Sequence, residues 1–207
     1  MSFPFPYKSF SHQLDDTIPL YHSIIELSNQ NPMREKKPSI DLGAHYDVAH
    51  GLLFGAKTHY MVDRVYDESS VNEVLKRLEE LGAKTRDVVS TADTSTTIDF
   101  LLGSDSRKLV LVANDVQSMV QNEHVQQGLS AVLLKGRGGI RSEGSDVEAL
   151  LPIFQDLIGP QGLYLGFSTP FPFLGFTKEA EGTLPFATLT GLENDDRYMN
   201  HQLFRRK

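Results

Sequence analysis

Three places along the chain combine residue types that can do chemistry. Asp41-Leu42-Gly43-Ala44-His45-Tyr46-Asp47 sets an acid, a glycine, a histidine and a second acid close together. A glycine after an acid at a strand end lets the backbone approach a ligand, and a following helix N-terminus would face it. Asp63, in Tyr60-Met61-Val62-Asp63, comes 20 residues after Gly43. An ionised carboxylate there can accept two hydrogen bonds at once. Lys135-Gly136-Arg137-Gly138-Gly139-Ile140-Arg141 joins glycines to three cations and can cradle a carboxylate or phosphate. It lacks the order of a Walker A loop, and a solvated loop is the plainer alternative.

Histidines supply the other titratable groups. His45, His50 and His59, with Asp47, can be read as a metal site or as a source of a general base. The spacing matches no metal pattern, and a straight helix would separate His45 from His50 by roughly 140°. Separate surface or loop histidines is the alternative, and no metal is expected. His45 still stands out, because its glycine turn lies where open α/β sheets bind ligands. Gly166-Phe167-Ser168-Thr169 runs into Pro170, so it is no nucleophile elbow. The aromatic stretch Thr169–Phe176 is either a pocket lining or a loop packed on the sheet edge. Arg205-Arg206-Lys207 reads as a solvated basic end.

Composition narrows the chemistry. The 207 residues contain no cysteine, which excludes a disulfide scaffold, a thiolate nucleophile and iron–sulfur ligation. The formal net charge is −7, from 20 basic and 27 acidic residues, which argues against nucleic acid as the main partner. MSFPFPYKSF lacks the unbroken apolar run of a signal peptide, and no run is long enough to span a membrane. A cytoplasmic protein is the expectation.

The elements that would position these residues follow from periodicity. Residues 1–12 read as an extended arm. Asp15 or Asp16 can cap a helix over Thr17–Ser28, with Pro19 in its first turn and Asn29-Gln30-Asn31-Pro32 as its stop. Ser39–Gly43 and Thr58–Val65 are strand candidates on either side of a short helical stretch, Val48–Phe54. Ser69 or Ser70 is expected to cap an amphipathic helix to Leu81. Val71, Val74, Leu75, Leu78 and Leu81 form its stripe, and Gly82 is its terminating glycine. Arg86–Thr91 follows. Thr97–Leu102 and Lys108–Val112 flank Gly103-Ser104-Asp105-Ser106-Arg107 as a hairpin, or as a short helix and a strand. Val116–Gln127 reads as helix and Ala131–Lys135 as a buried strand. A helix capped by Ser145 runs to Ile158, and Leu163–Phe167 is another buried strand. Residues 169–185 read as a long surface loop or lid. Pro185–Thr190 and Tyr198–Arg205 read as a closing antiparallel hairpin.

Alternating apolar strands and helices imply a parallel sheet covered on both faces. This order resembles the class I S-adenosylmethionine-dependent methyltransferases over residues 38–207. Asp41 and Gly43 match the acid-x-Gly-x-Gly-x-Gly turn after the family's first strand, with His45 and Asp47 replacing the later glycines. Asp63 matches the acid that accepts both ribose hydroxyls. Gly159-Pro160-Gln161-Gly162 is similar to the family's turn before its fifth strand. Counting back from that turn makes Ala131–Lys135 the fourth strand and Lys108–Val112 the third, with Thr97–Leu102 inserted beside it. Asn114 and Asp115 then fall at the adenine. A rival register makes Arg86–Thr91 the third strand and Asp93 the adenine contact; the turn favours Asp115. Lys135, just past the fourth strand, would face the methionine end of the donor or a substrate anion.

The resemblance implies an α/β fold: a doubly wound, mostly parallel, seven-stranded Rossmann-like sheet with a closing antiparallel hairpin and an N-terminal helix. Residues 1–37 would form an arm and cap helix, and 38–207 the main domain. It implies a transferase that moves a methyl group from S-adenosylmethionine to a small molecule, leaving S-adenosylhomocysteine. Asp41, Gly43, Asp63, Asn114, Asp115 and Lys135 would hold the cofactor and His45 would serve as base. The partners expected are a small-molecule substrate, with no nucleic acid and no membrane, and a homodimer is left open. The altered glycine turn motivates a second reading, in which the same fold no longer transfers methyl groups. It would then serve as a partner or scaffold, or catalyse another reaction in the same crevice. A dehydrogenase is a third; against it, Gly-x-Gly-x-x-Gly is missing after the first strand.

Overall fold

The short segment Ser39-Ile40-Asp41-Leu42 lies in the middle of a single mixed sheet. The structure, a computed structural model, describes residues 19–42, 44, 48, 56–64, 66–91, 95–114, 131–136, 158–167, 175–185 and 198–207. Its elements in chain order are α1 (Pro19–Gln30), β1 (Ser39–Leu42), β2 (Thr58–Asp63), α2 (Glu68–Glu80), β3 (Ala83–Ser90), β4 (Ser95–Leu102), β5 (Asp105–Ala113), β6 (Ala131–Gly136), β7 (Ile158–Phe167), β8 (Phe176–Pro185) and β9 (Tyr198–Arg206). The strands order as β3-β4-β5-β2-β1-β6-β7-β9-β8. Neighbours from β5 through β2, β1 and β6 to β7 pair in parallel. The pairs β3–β4 and β4–β5 on one flank, and β7–β9 and β8–β9 on the other, are antiparallel.

Among the described residues the sheet thus has nine strands rather than seven, because the β3–β4 hairpin is added outside β5. β5 pairs with β2 from Thr58↔Lys108 to Asp63↔Ala113, so it is the third parallel strand. Among the described residues β3 is an edge strand antiparallel to β4, so it is not the third parallel strand of the rival register; Asp93 lies outside the described residues. The hairpin reading of β4 and β5 holds: Leu102 pairs with Asp105 across a two-residue loop. Gly103 takes φ 63 at its first position, where a primed hairpin turn needs glycine. β3 forms one edge and is exposed from Lys84 to Ser90. Its charges Lys84, Arg86 and Asp87 and the register shift between Thr85 and Asp87 guard that edge against pairing.

Both described helices share one core with the sheet. Leu20, Tyr21 and Ile24 of α1 and Val74 and Leu78 of α2 cluster with Met61, Ile98, Phe100, Leu109, Leu111, Leu163, Leu165 and Leu203. Each such side chain, fully buried, contributes about 1.5–3 kcal/mol of transfer free energy. The alternate positions Ile40, Leu42, Val62, Val110 and Val112 are buried as well, so both sheet faces are removed from water.

α1 begins at Pro19, whose missing N–H costs nothing in a first turn. It ends where Asn31 turns the chain. The Asn31 Oδ1 accepts from the Met33 N–H at 2.9 Å, and Nδ2 donates to the Gln161 carbonyl at 3.1 Å, tying the helix end to β7. α2 is capped by Asp67, not by Ser69 or Ser70. Its carboxylate accepts from the Ser70 N–H at 2.9 Å and from the Ser69 and Ser70 hydroxyls at 2.9 and 2.8 Å. An acid at this position also meets the positive end of the helix dipole, which a serine hydroxyl meets less well. Gly82, with φ 77, ends the helix as expected.

Three further expectations are corrected. Gly159-Pro160-Gln161-Gly162 is no separate turn but an irregular stretch inside β7, with Gln161 at φ 61. The β6–β7 register shifts there, from Ala131↔Ile158 to Leu133↔Leu163, so Ile158 belongs to the strand rather than to a helix stripe. Residues 176–185 are strand β8, not part of a loop or lid. The closing hairpin therefore starts earlier than expected, with pairs from Phe176↔Arg206 to Pro185↔Tyr198. Lys135 lies within β6, not just past it. The arm over residues 1–12, the helices expected over 116–127 and 145–157, and most of 48–54 lie outside the described residues.

Candidate functional site

Parallel strands bring their carboxyl ends to one side, and here those ends carry the polar residues singled out above. Asp41, the third residue of β1, is fully buried and stands in register with Met61 of β2 and the backbone of Lys135 in β6. Asp63 closes β2 opposite Ala113 of β5. Because side chains alternate, Asp41, Met61 and Asp63 share the face covered by α1 and α2. Asp63 is half-buried, so it has one side toward solvent and one toward the core.

Backbone bonds hold the loops that leave these strands. The Ala44 N–H donates to the Val62 carbonyl at 3.3 Å, pressing the chain after β1 against β2. The Asn114 N–H donates to the carbonyls of Asp63 at 3.2 Å and Val112 at 3.0 Å. Asn114 is half-buried and thus lies directly beside Asp63. A carboxylate and a carboxamide next to each other at a strand end present acceptors for hydroxyls and a donor for a ring nitrogen. That donor set fits a nucleoside.

The structure brings together Asp41, Asp63 and Asn114, with Lys135 adjacent in the backbone register. Gly43, His45 and Asp115 lie outside the described residues. His59 does not stand with the strand-end residues. It is buried near the start of β2, and its Nδ1 is 2.7 Å from the Ser39 Oγ. A metal or base cluster built on it is therefore corrected to a core hydrogen bond, while His50 and Asp47 lie outside the described residues.

One feature of this end was not anticipated. Leu42, Gly136 and Gly166 are in register across β1, β6 and β7, so two adjacent strands lack side chains there. The ring of Tyr164 fills the gap: a Cβ on Gly166 would lie 2.6 Å from its Cε1 and 2.7 Å from its hydroxyl oxygen. Burial pushes the Tyr164 phenol up to about 12, so it remains a protonated donor at neutral pH. The signal in the sequence is Tyr-x-Gly on a strand, which puts an aromatic ring over a glycine on the same face.

No family model and no curated protein matches the sequence. Solved structures do resemble the fold. The N-methyltransferase NodS from Bradyrhizobium japonicum WM9, in complex with S-adenosyl-L-homocysteine, shares 9% identity over 99% of this chain and 93% of its own, at a TM-score of 0.52. The putative methyltransferase yhhF from Escherichia coli shares 11% identity over 90% of this chain and 86% of its own, at 0.50. A putative SAM-dependent methyltransferase from Streptococcus mutans shares 14%, at 0.54; the match spans 90% of this chain but only 48% of that one. The chain has the fold of the class I S-adenosylmethionine-dependent methyltransferases.

Proposed function

We propose that the chain transfers a methyl group from S-adenosylmethionine to a small molecule. The observation that carries this reading is Asp63 at the end of β2, with Asn114 beside it, at the carboxyl edge of the parallel strands in a methyltransferase-like fold. In this reading Asp63 accepts the two ribose hydroxyls. Asn114 and Asp115 meet the adenine, Asp41 and Gly43 shape the turn under the donor, and Lys135 faces its methionine end. When bound, the cofactor supplies an electrophilic methyl group on a sulfonium. The chain's own task is placement, because an in-line approach at roughly 3–3.5 Å can account for much of the rate. His45 takes the proton of a hydroxyl or amine acceptor. The protonated Tyr164 phenol, above the Gly136–Gly166 gap, orients the acceptor.

In this reading α1 caps the substrate mouth and the sheet is doubly wound. The net charge of −7 favours a small molecule over nucleic acid, and the protein works in the cytoplasm without a membrane. Among the described residues no helix is long and apolar enough to cross one.

Calorimetric titration tests the reading. A millimolar ligand with micromolar affinity stabilises a fold by about 4 kcal/mol. S-adenosylmethionine and S-adenosylhomocysteine should each bind and raise the melting temperature. Silence with both ligands favours the second reading, a methyltransferase fold that has lost the reaction, for which the replacement of two turn glycines by His45 and Asp47 is the motive.

A further inference from the structure

At the opposite end of the parallel strands a cleft of about 220 Å³ opens between the turn before β1 and the start of β2. Its walls are Glu35, Lys36, Lys37, Pro38, Lys57, Thr58 and Tyr60. The volume lies below the ~300–1,000 Å³ of pockets that take drug-sized ligands, so it suits a small one. Lys108 of β5 is in register with Thr58 and exposed, adding a fourth ammonium on the Thr58 side.

Acids near the cleft do not cancel these charges. Asp105 pairs with both Lys57 and Arg107, two cations on one carboxylate. Burial raises its carboxyl, but hydrogen bonds from Lys57 and Arg107 outweigh that and hold it below the ordinary range, so it stays ionised and orients Lys57. Asp99 stands opposite Lys108, and Glu35 is the one acid on the wall. The walls thus carry Lys36, Lys37 and Lys57 against Glu35, with Asp105 shared between Lys57 and the buried Arg107, a local excess of positive charge in a chain of net charge −7. Thr58 adds a hydroxyl. Tyr60, half-buried, adds a phenol that burial pushes up and keeps protonated. A concave site lined by donors of one charge sign concentrates anions.

We propose that this cleft is a second binding site, for a small ligand bearing a phosphate group, held by Lys36, Lys37 and Lys57 with Thr58 and Tyr60 as hydroxyl donors. Ammonium-to-phosphate hydrogen bonds are charge-assisted, roughly twice as strong as neutral ones. The site is separate from the strand-end crevice and does not depend on methyl transfer.

Amide chemical shifts of the full chain, followed during titration at constant ionic strength, test this. The probes are inorganic phosphate and glycerol 3-phosphate, with sodium chloride as the reference for plain screening. Saturable shifts at residues 35–37 and 57–60 are expected, at least tenfold weaker in Lys36→Ala/Lys37→Ala. Both lysines reach solvent, so that variant should fold. Tyr60→Phe, which keeps the ring, should weaken binding severalfold at an unchanged melting temperature. Equal affinity for the two probes assigns the site to free phosphate. Tighter binding of glycerol 3-phosphate assigns it to a phosphorylated metabolite. Linear shifts like those with chloride, or saturable shifts that survive the double variant, overturn the proposal. So does a short RNA that binds far more tightly than either probe and loses affinity steeply with salt.

Discussion

Asp41, Asp63 and Asn114 gather at the carboxyl ends of β1, β2 and β5, whereas Lys36, Lys37 and Lys57 gather before the amino ends of β1 and β2. Among the described residues of these strands, the buried ones are apolar except for Ser39, Asp41, His59 and Arg107. The parallel arrangement separates two chemistries by the length of a strand. One end presents acceptors for hydroxyls and cations, the other donors for anions. The two ends can therefore be perturbed independently.

The largest effect is expected from Asp63→Ala. On the proposed assignment it would remove two charge-assisted hydrogen bonds to the ribose, each worth about 1.5–3 kcal/mol. Affinity for S-adenosylhomocysteine should fall by at least 100-fold in calorimetry, while phosphate-induced shifts at residues 35–37 stay as they were. Unchanged cofactor affinity would refute the ribose assignment. A parallel loss of phosphate binding would break the separation of the ends.

Gly166→Ala tests the packing at the carboxyl end. The new methyl group would enter the ring of Tyr164, and overpacking of this kind costs about 1–3 kcal/mol. Chemical denaturation should show that loss, and the double variant with Tyr164→Ala should not add the two single effects. Strict additivity would show that the ring does not lie over the glycine. At the amino end the matching test is Ser39→Ala. It deprives the buried His59 ring of its 2.7 Å partner, at a cost of about 1–3 kcal/mol. A neutral result would mean that His59 gains nothing from Ser39.

Much of this arrangement was legible in the sequence, for a physical reason. Strands buried on both faces must be apolar throughout, and Ala131–Lys135 and Leu163–Phe167 read as strands on that ground alone. The stripe Val71, Val74, Leu75, Leu78 is the face that α2 buries or half-buries. β8 was not legible, because it is an edge strand bonded only to β9. Thr177, Lys178, Glu181 and Thr183 are exposed, so no apolar alternation marks it. The placement of Asp41, Asp63 and Asn114 at strand ends was legible because a strand end followed by a polar residue is a local pattern. The lysine cleft was not. Lys36 and Lys37 meet Lys57 only because Ser39 registers with His59, and a parallel pairing leaves no local trace.

The smallest effect contrasts two acids that follow one strand. Asp63 is assigned to a ligand, whereas Asp67, four residues on, serves the fold by capping α2. The Ser70 N–H, then the Ser70 and Ser69 hydroxyls, hold the Asp67 carboxyl below the ordinary carboxylate range. A depressed folded-state value means that the ionised acid favours the folded state. Its contribution is complete above the unfolded value of about 3.9 and fades as the pH falls through the lower folded value. Asp67→Ala should therefore lower the melting temperature by a few degrees at neutral pH. The gap from the parent protein should hold down to about pH 5 and narrow below about pH 4. Asp67→Asn keeps a capping oxygen without the charge, so it should recover part of the loss and show no such pH dependence of its own. Neither variant should alter cofactor affinity. A loss of binding in Asp67→Asn would place this acid in the ligand site as well, and would show that the carboxyl end does not divide its acids between ligand and fold.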